Sequence, residues 1–273
     1  MTKVAVVTGS NKGIGLAIVR ALCKSFKGDV YLTSRDVTRG AEAVKLLEGE
    51  GLSPKYHQVD VTDSASIAKL RDHMTGKYGG IDVLVNNVGI AFKNADTTDF
   101  GIQAVVSMKT NYYGTISASD ALIPTVKSGG RVVNVSSMGS FMSLKKCSEE
   151  NQRFFRAEDL TEEALTEKME DFVAHAKKGT HVAAGYSDSA YGMSKVGMTC
   201  LTRIWAKKLR AEGKSDVVMN ACCPGWVRTD MGGAKAGKSP DEGAITPVYL
   251  AMLPAGVNEP HGKFFSDKTV REW

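Results

Sequence analysis

Two groups of residues in this 273-residue chain have types and spacing suited to chemistry. The first is Thr8-Gly9-Ser10-Asn11-Lys12-Gly13-Ile14-Gly15, which follows a short β-branched run and opens a helical pattern. Glycines there allow a tight turn and a close backbone approach to a pyrophosphate, which would sit on the positive end of the following helix. Three glycines can also serve a turn for steric reasons alone, but the strand–turn–helix context favours dinucleotide binding. The next strand closes on Ser34-Arg35. An acid at that point would hold the ribose 2′-hydroxyl of NAD, whereas an arginine accommodates the 2′-phosphate of NADP. Lys12 can add a second positive charge, and Asp36 is placed to cap the helix that follows. The second group is Tyr191 and Lys195, four positions apart and therefore on one face of a helix. A free phenol, with a pKa near about 10, exchanges protons poorly at neutral pH. A neighbouring ammonium, with the positive nicotinamide of an oxidised cofactor, is expected to lower that value.

Positioning these groups requires alternating strands and helices. Strands are expected at 3–8, 29–33, 55–60, 81–86, 130–136, 217–222 and 262–265, with helices at 13–26, 36–50 and 63–78 among those between them. That rhythm means βαβ units and an α/β fold of the Rossmann type, a doubly wound parallel sheet flanked by helices. Runs such as VAVV and IDVLV are apolar without alternation, as strands covered on both faces should be. No linker divides the chain, so 1–273 is expected to form one domain. One segment, about 141–188, interrupts the rhythm with a polar stretch at 145–156 and a helix at about 161–178. Leu165, Met169, Phe172, Val173 and Ala176 share one face of that helix, which must find cover, most simply on the flank of the main domain. Gly179 supplies the stop.

Composition narrows the classes further. With 42% hydrophobic and 24% charged residues the chain can bury a core without staples. No apolar run approaches the roughly 18 residues of a membrane span, and a strand beginning at Val4 leaves no room for a signal peptide. A cytoplasmic location is the expectation. The odd number of cysteines, five, and the absence of CxxC spacing argue against disulfides and zinc, and the five histidines form no ligand pair. The net charge of +5 is spread along the chain, which favours an enzyme collecting an anionic cofactor over a nucleic-acid binder.

The GxxxGxG turn after a threonine resembles that of the short-chain dehydrogenase/reductase family, and the resemblance continues along nearly the whole chain. Asp60 and Val61 match the family's element near the adenine. Asn86-Asn87-Val88-Gly89 is similar to its NNAG, with valine for alanine. Asn111 and Ser137 stand where the family has its catalytic asparagine and serine, and Tyr191 and Lys195 form its YxxxK element. Val227, Arg228 and Thr229, after Pro224-Gly225-Trp226, match the loop that holds the nicotinamide end. The resemblance implies cofactor contacts from Gly9, Asn11, Lys12, Gly13, Ile14, Gly15, Arg35, Asp60, Val61, Asn87, Tyr191, Lys195, Val227, Arg228 and Thr229. Tyr191 would give its proton to a carbonyl oxygen while Ser137 bonds the same oxygen. Lys195 would hold the nicotinamide ribose, and Asn111 a water that relays protons to Lys195.

Tyr191 follows Ser137 by 54 positions, far more than is usual in the family. That insertion, the run Asn220–Met231 and Lys238-Ser239-Pro240 resemble the monomeric carbonyl reductases of animals. NADPH as cofactor and small ketones, aldehydes and quinones as substrates are implied, as is a monomeric state. Departures include Met138-Gly139 after the serine and Tyr186 in place of a tryptophan. Trp226 and Met231 would line the substrate pocket or, alternatively, be core residues. Cys223 would be either a reactive thiolate facing the pocket or an inert buried residue, and Cys222 a small core residue. The resemblance also points to a glutathione site involving Phe92, Gln103 and Ala190. Two other functions are compatible with the residues: an NADP-dependent alcohol dehydrogenase working oxidatively, and a non-catalytic NADP-binding scaffold.

Overall fold

In the computed structural model, which describes residues 2–93 and 95–273, eight strands form one sheet in the order β3-β2-β1-β4-β5-β6-β7-β8. These are β1 (Val4–Val7), β2 (Asp29–Ser34), β3 (Lys55–Gln58), β4 (Ile81–Asn86), β5 (Val126–Val135), β6 (Val218–Cys223), β7 (Phe264–Ser266) and β8 (Thr269–Arg271). All neighbours are parallel except β7 and β8. β1 and β6 are buried at every residue, which explains their unbroken apolar character. Alternate residues of β1 serve opposite faces. Val4 and Val6 join a core cluster with Ile67, Leu122 and Val196, whereas Ala5 and Val7 join Ile18, Leu22 and Leu250.

The helices are α1 (Gly13–Ser25), α2 (Val37–Gly49), α3 (Ser64–Tyr78), α4 (Phe100–Ser107), α5 (Gly114–Leu122), α6 (Met138–Lys146), α7 (Glu149–Arg156), α8 (Glu162–Lys177), α9 (Ala190–Ala211) and α10 (Pro240–Ala251). The chain leaves β1 toward β2 and β3 on one side, then returns to place β4 on the other. In open α/β sheets such a switch is where a ligand crevice forms beyond the strand ends.

Several boundaries differ from the sequence expectation. β5 begins at Val126 rather than 130, and β6 runs to Cys223. β8, an exposed antiparallel edge strand, had no apolar pattern to announce it. The polar stretch at 145–156 is largely helical. Ser148 caps α7 by accepting from Asn151 N, acids occupy its first turn and arginines its last, and Phe155 anchors it in the core. α8 behaves as its periodicity demands: Leu165, Met169, Phe172 and Ala176 are buried, Val173 partly so, and Gly179 stops it at φ +67°. Its cover is α4 and α9. Approach is close enough that a Cβ on Gly101 would lie 2.7 Å from Lys177 Cα.

Candidate active site

The glycine turn depends on backbone conformations that side chains resist. Gly9 and Gly13 have φ of +59° and +57°. A Cβ on Gly15 would come within 2.5 Å of Asn87 Nδ2 and 2.7 Å of Gly9 O. Asn87 stitches this turn to the end of β4, donating from Nδ2 to the carbonyls of Thr8 (3.0 Å) and Gly9 (2.9 Å). α1 starts at an extended Lys12 with no side-chain cap and no acid in its first turn. By contrast, Asp36, Asp63 and Asp99 cap α2, α3 and α4. The leading N–H groups of α1 therefore keep their capacity for an anion, which fits a pyrophosphate.

Around this cradle, Arg35 stands exposed at the end of β2. Asp36 turns away into its helix, accepting from Arg39 N at 2.9 Å. Asp60 Oδ1 accepts from Thr62 N (2.9 Å) and Oγ1 (2.8 Å), shaping the loop after β3, and Val61 is buried against Gly114. The loop after β6 arches back to the cradle, placing Thr229 Cγ2 3.1 Å from where a Cβ of Gly13 would be. Arg228 ties that loop to itself, donating from Nη1 to the carbonyls of Ala236 (2.9 Å) and Gly237 (3.0 Å), while Val227 is buried. Lys12 Nζ lies 2.6 Å from Asp230 Oδ2, a partner that sequence spacing could not suggest. Ile14 is half-buried beside Gly243 of α10, and Asn11 is half-buried in the turn.

Ser137, Tyr191, Lys195 and Asn111 converge beyond the ends of β4 and β5. Ser137 caps α6, its Oγ accepting from Gly139 N at 2.9 Å, which leaves its O–H free to donate. Tyr191 stands in the first turn of α9, which Ser189 caps. A Cβ on Gly139 would sit 3.2 Å from Ser137 Oγ and 3.4 Å from Tyr191 Cε1, so the glycine preserves room between them. Lys195 Nζ donates to Val135 O at 2.9 Å and lies 5.9 Å from the centre of the Tyr191 ring. Asn111 lies in a π-helical turn, Met108–Tyr113, between α4 and α5. Its side chain is committed to protein partners: Oδ1 accepts from Ile90 N (2.8 Å), and Nδ2 donates to Ile90 O and Ser194 Oγ (2.9 Å each). Asn111 thus holds the loop after β4 against α9. Lys195 Nζ is 3.3 Å, and Asn111 Oδ1 3.7 Å, from the Cβ that Gly89 lacks.

Comparison with known proteins now decides the family. The short chain dehydrogenase family profile matches residues 3–149. Carbonyl reductase [NADPH] 1 of Homo sapiens is 59% identical over 99% of this chain and 98% of its own. Among solved structures, salutaridine reductase from Papaver somniferum superposes with a TM-score of 0.86 at 31% identity, covering 97% of this chain and 99% of that one. Menthone neomenthol reductase from Mentha piperita gives 0.81 at 32% identity, covering 97% and 98%. The chain belongs to the short-chain dehydrogenase family.

Within this short-chain dehydrogenase, burial dominates the electrostatics of the tyrosine. Burial pushes the Tyr191 phenol up to about 12, against the opposing pull of the nearby Ser137 hydroxyl. Burial likewise lowers Lys195 to about 8. The ammonium does not dominate because desolvation penalises both charged forms at once. Of the two sequence readings of Cys223, burial favours the inert one. Cys223 ends β6, is 3% exposed, and accepts at Sγ from Gly225 N; burial raises its thiol rather than favouring a thiolate. Cys222 is fully buried, as expected.

Trp226 and Met231, by contrast, are 62% and 43% exposed, which removes the core alternative for both. Phe92 and Gln103 are half-buried, and Gln103 donates Nε2 to Thr98 O. Ala190 is buried in the main core. Among the described residues no cluster of histidine, cysteine and carboxylate side chains could hold a metal, and no helix is long and apolar enough to cross a membrane.

Proposed function

We propose that the protein is an NADPH-dependent carbonyl reductase acting on small ketones, aldehydes and quinones, with Tyr191 as proton donor. The carrying observation is the half-buried phenol standing between a serine whose hydroxyl is free to donate and a lysine of depressed pKa. When bound, NADPH supplies the hydride. The glycine cradle and the uncapped end of α1 hold its pyrophosphate, and Arg35 and Lys12 meet the 2′-phosphate. Tyr191, kept protonated at neutral pH by burial, donates its proton to the carbonyl oxygen. Ser137 donates to the same oxygen and stabilises the charge that develops there. Lys195, titrating near 8, is poised to return a proton toward Tyr191. Asn111 acts as a positioning residue through Ile90 and Ser194.

Trp226 and Met231 present apolar surface at the mouth, which suits uncharged substrates. Phe92, Gln103 and Ala190 are proposed as contacts for glutathione or its conjugates, a reading that rests on resemblance. One continuous sheet supports a single domain over 1–273, and five unpaired cysteines suit a reducing, cytoplasmic setting. Covering of the α4–α9 flank by α8 supports a monomer.

The test is to follow NADPH absorbance with purified protein and menadione. Loss of absorbance that requires both supports the reading, and no turnover with menadione or a panel of ketones overturns it. Light scattering that finds a stable tetramer would remove the monomer.

A further inference from the structure

We propose that Trp273, which follows the edge strand β8, is a positioning residue for the catalytic serine, acting through Ser140. The inference rests on the reading of Ser137 given above. Trp273 Nε1 donates to Ser140 Oγ at 3.0 Å, across 133 positions of sequence. Ser140 is fully buried in the first turn of α6 and spends both of its donors on one acceptor. Its hydroxyl reaches Ser137 O at 2.7 Å and its amide reaches the same oxygen at 3.0 Å. The peptide that carries the Ser137 side chain is therefore held by Ser140, and the Ser140 hydroxyl is oriented from behind by the indole.

Two further observations fix the indole in that role. Its ring packs in one apolar cluster with Met138, the residue next to Ser137, and with Ala221, Cys223 and Phe264 at the end of the sheet. The Arg203 guanidinium lies 5.9 Å from the ring, while its own nitrogens donate to Phe155 O (3.1 Å) and Arg156 O (3.0 Å) at the end of α7. The link also approaches the other side of the site. Thr199 Oγ1 is 3.4 Å from Ser140 Oγ and donates to Lys195 O at 2.9 Å, and Ser136 Oγ lies 2.8 Å from it. Removing the indole N–H would leave the buried Ser140 Oγ without its best donor, and a hydroxyl free to rotate releases the Ser137 carbonyl.

The experiment compares wild type, Trp273→Phe, Ser140→Ala and the double variant. For each it measures kcat with menadione, the Kd for NADPH by fluorescence, and Tm. Phenylalanine keeps the ring in its cluster and removes only the donor. Trp273→Phe should lower kcat about 5-fold, the scale of one hydrogen bond, with NADPH Kd within about twofold. In the Ser140→Ala background the same change should cost no more, because the connection is already cut. A role in stability alone would move Tm and leave kcat of the folded protein untouched. Wild-type kcat in Trp273→Phe, losses that multiply in the double variant, or a Kd that rises in step with the loss of kcat would each overturn the proposal. Should Trp273→Phe fail to fold, Ser140→Ala decides: an unchanged kcat with Tm retained refutes the link, and a fall of about 5-fold supports it. Absence of turnover in the wild type would instead remove the reading beneath it, and this proposal with it.

Discussion

The cluster of buried Lys195 with half-buried Ser137 and Tyr191 and the exposed rim of Lys12 and Arg35 use charge in opposite ways. In the cluster, burial sets which groups hold protons: the phenol rises to about 12 and the ammonium falls to about 8. On the rim, the cations stay in water, and Lys12 already shares its charge with Asp230. Enclosed groups are tuned by what surrounds them. Exposed groups act by attraction that solvent and salt attenuate, so each is worth less and their effects are graded.

The sharpest division between the two regions should come from Tyr191→Phe. It should lower kcat by about 100-fold or more, while the Kd for NADPH stays within about twofold. Retention of a tenth of wild-type kcat/KM would break the contrast at its strongest point. On the rim, Lys12→Gln with Arg35→Gln should raise KM for NADPH by about 30-fold, from two charge-assisted bonds, and change KM for NADH little. The wild-type KM for NADPH should also climb with ionic strength. Equal use of NADH and NADPH by the wild type would show that the end of β2 does not read the 2′-phosphate.

Two smaller effects refine the comparison. Because the folded pKa of Lys195 lies below its unfolded value, the unfolded chain binds more protons between pH 8 and 10. The contribution of Lys195 to stability therefore rises across that window, against an opposite contribution from the cysteines, whose thiols burial raises while unfolded thiols ionise. Tyr191 works oppositely, but only above about 10, where an unfolded phenol begins to ionise. Lys195→Met should remove that contribution, making the slope of Tm against pH more negative than in wild type by roughly 2–4 °C over the window, and an unchanged slope would mean that burial does not perturb the lysine. The smallest change belongs to Asp230→Asn. Freeing Lys12 from an exposed partner should tighten NADPH binding about twofold, and weaker binding would show that Asp230 helps the cofactor site rather than competing with it.

Much of the site was legible where a few neighbouring residues suffice. The glycine turn, the cap at Asp36 and the shared face of Tyr191 and Lys195 depend on contacts within a turn or two of chain. Less legible was anything needing a distant partner. The commitment of the Asn111 amide to Ile90 and Ser194 depends on two other segments, and the Lys12–Asp230 pair spans 218 positions. Ser194 and Ser140 carried no signal, since an isolated serine in a helix has no spacing that marks it.

What the sequence determined by itself was the alternation of apolar runs with amphipathic helices, and hence a parallel sheet with its crevice at the strand ends. It also determined the order in which the catalytic types are delivered to those ends. Only the tertiary structure decided the state of the groups once there. Cys223 became a buried thiol, Trp226 and Met231 became exposed rather than core, and Tyr191 a phenol whose proton burial retains. The physical reason is that periodicity and capping are local, whereas desolvation depends on every segment that closes over a group, and those segments are remote in sequence.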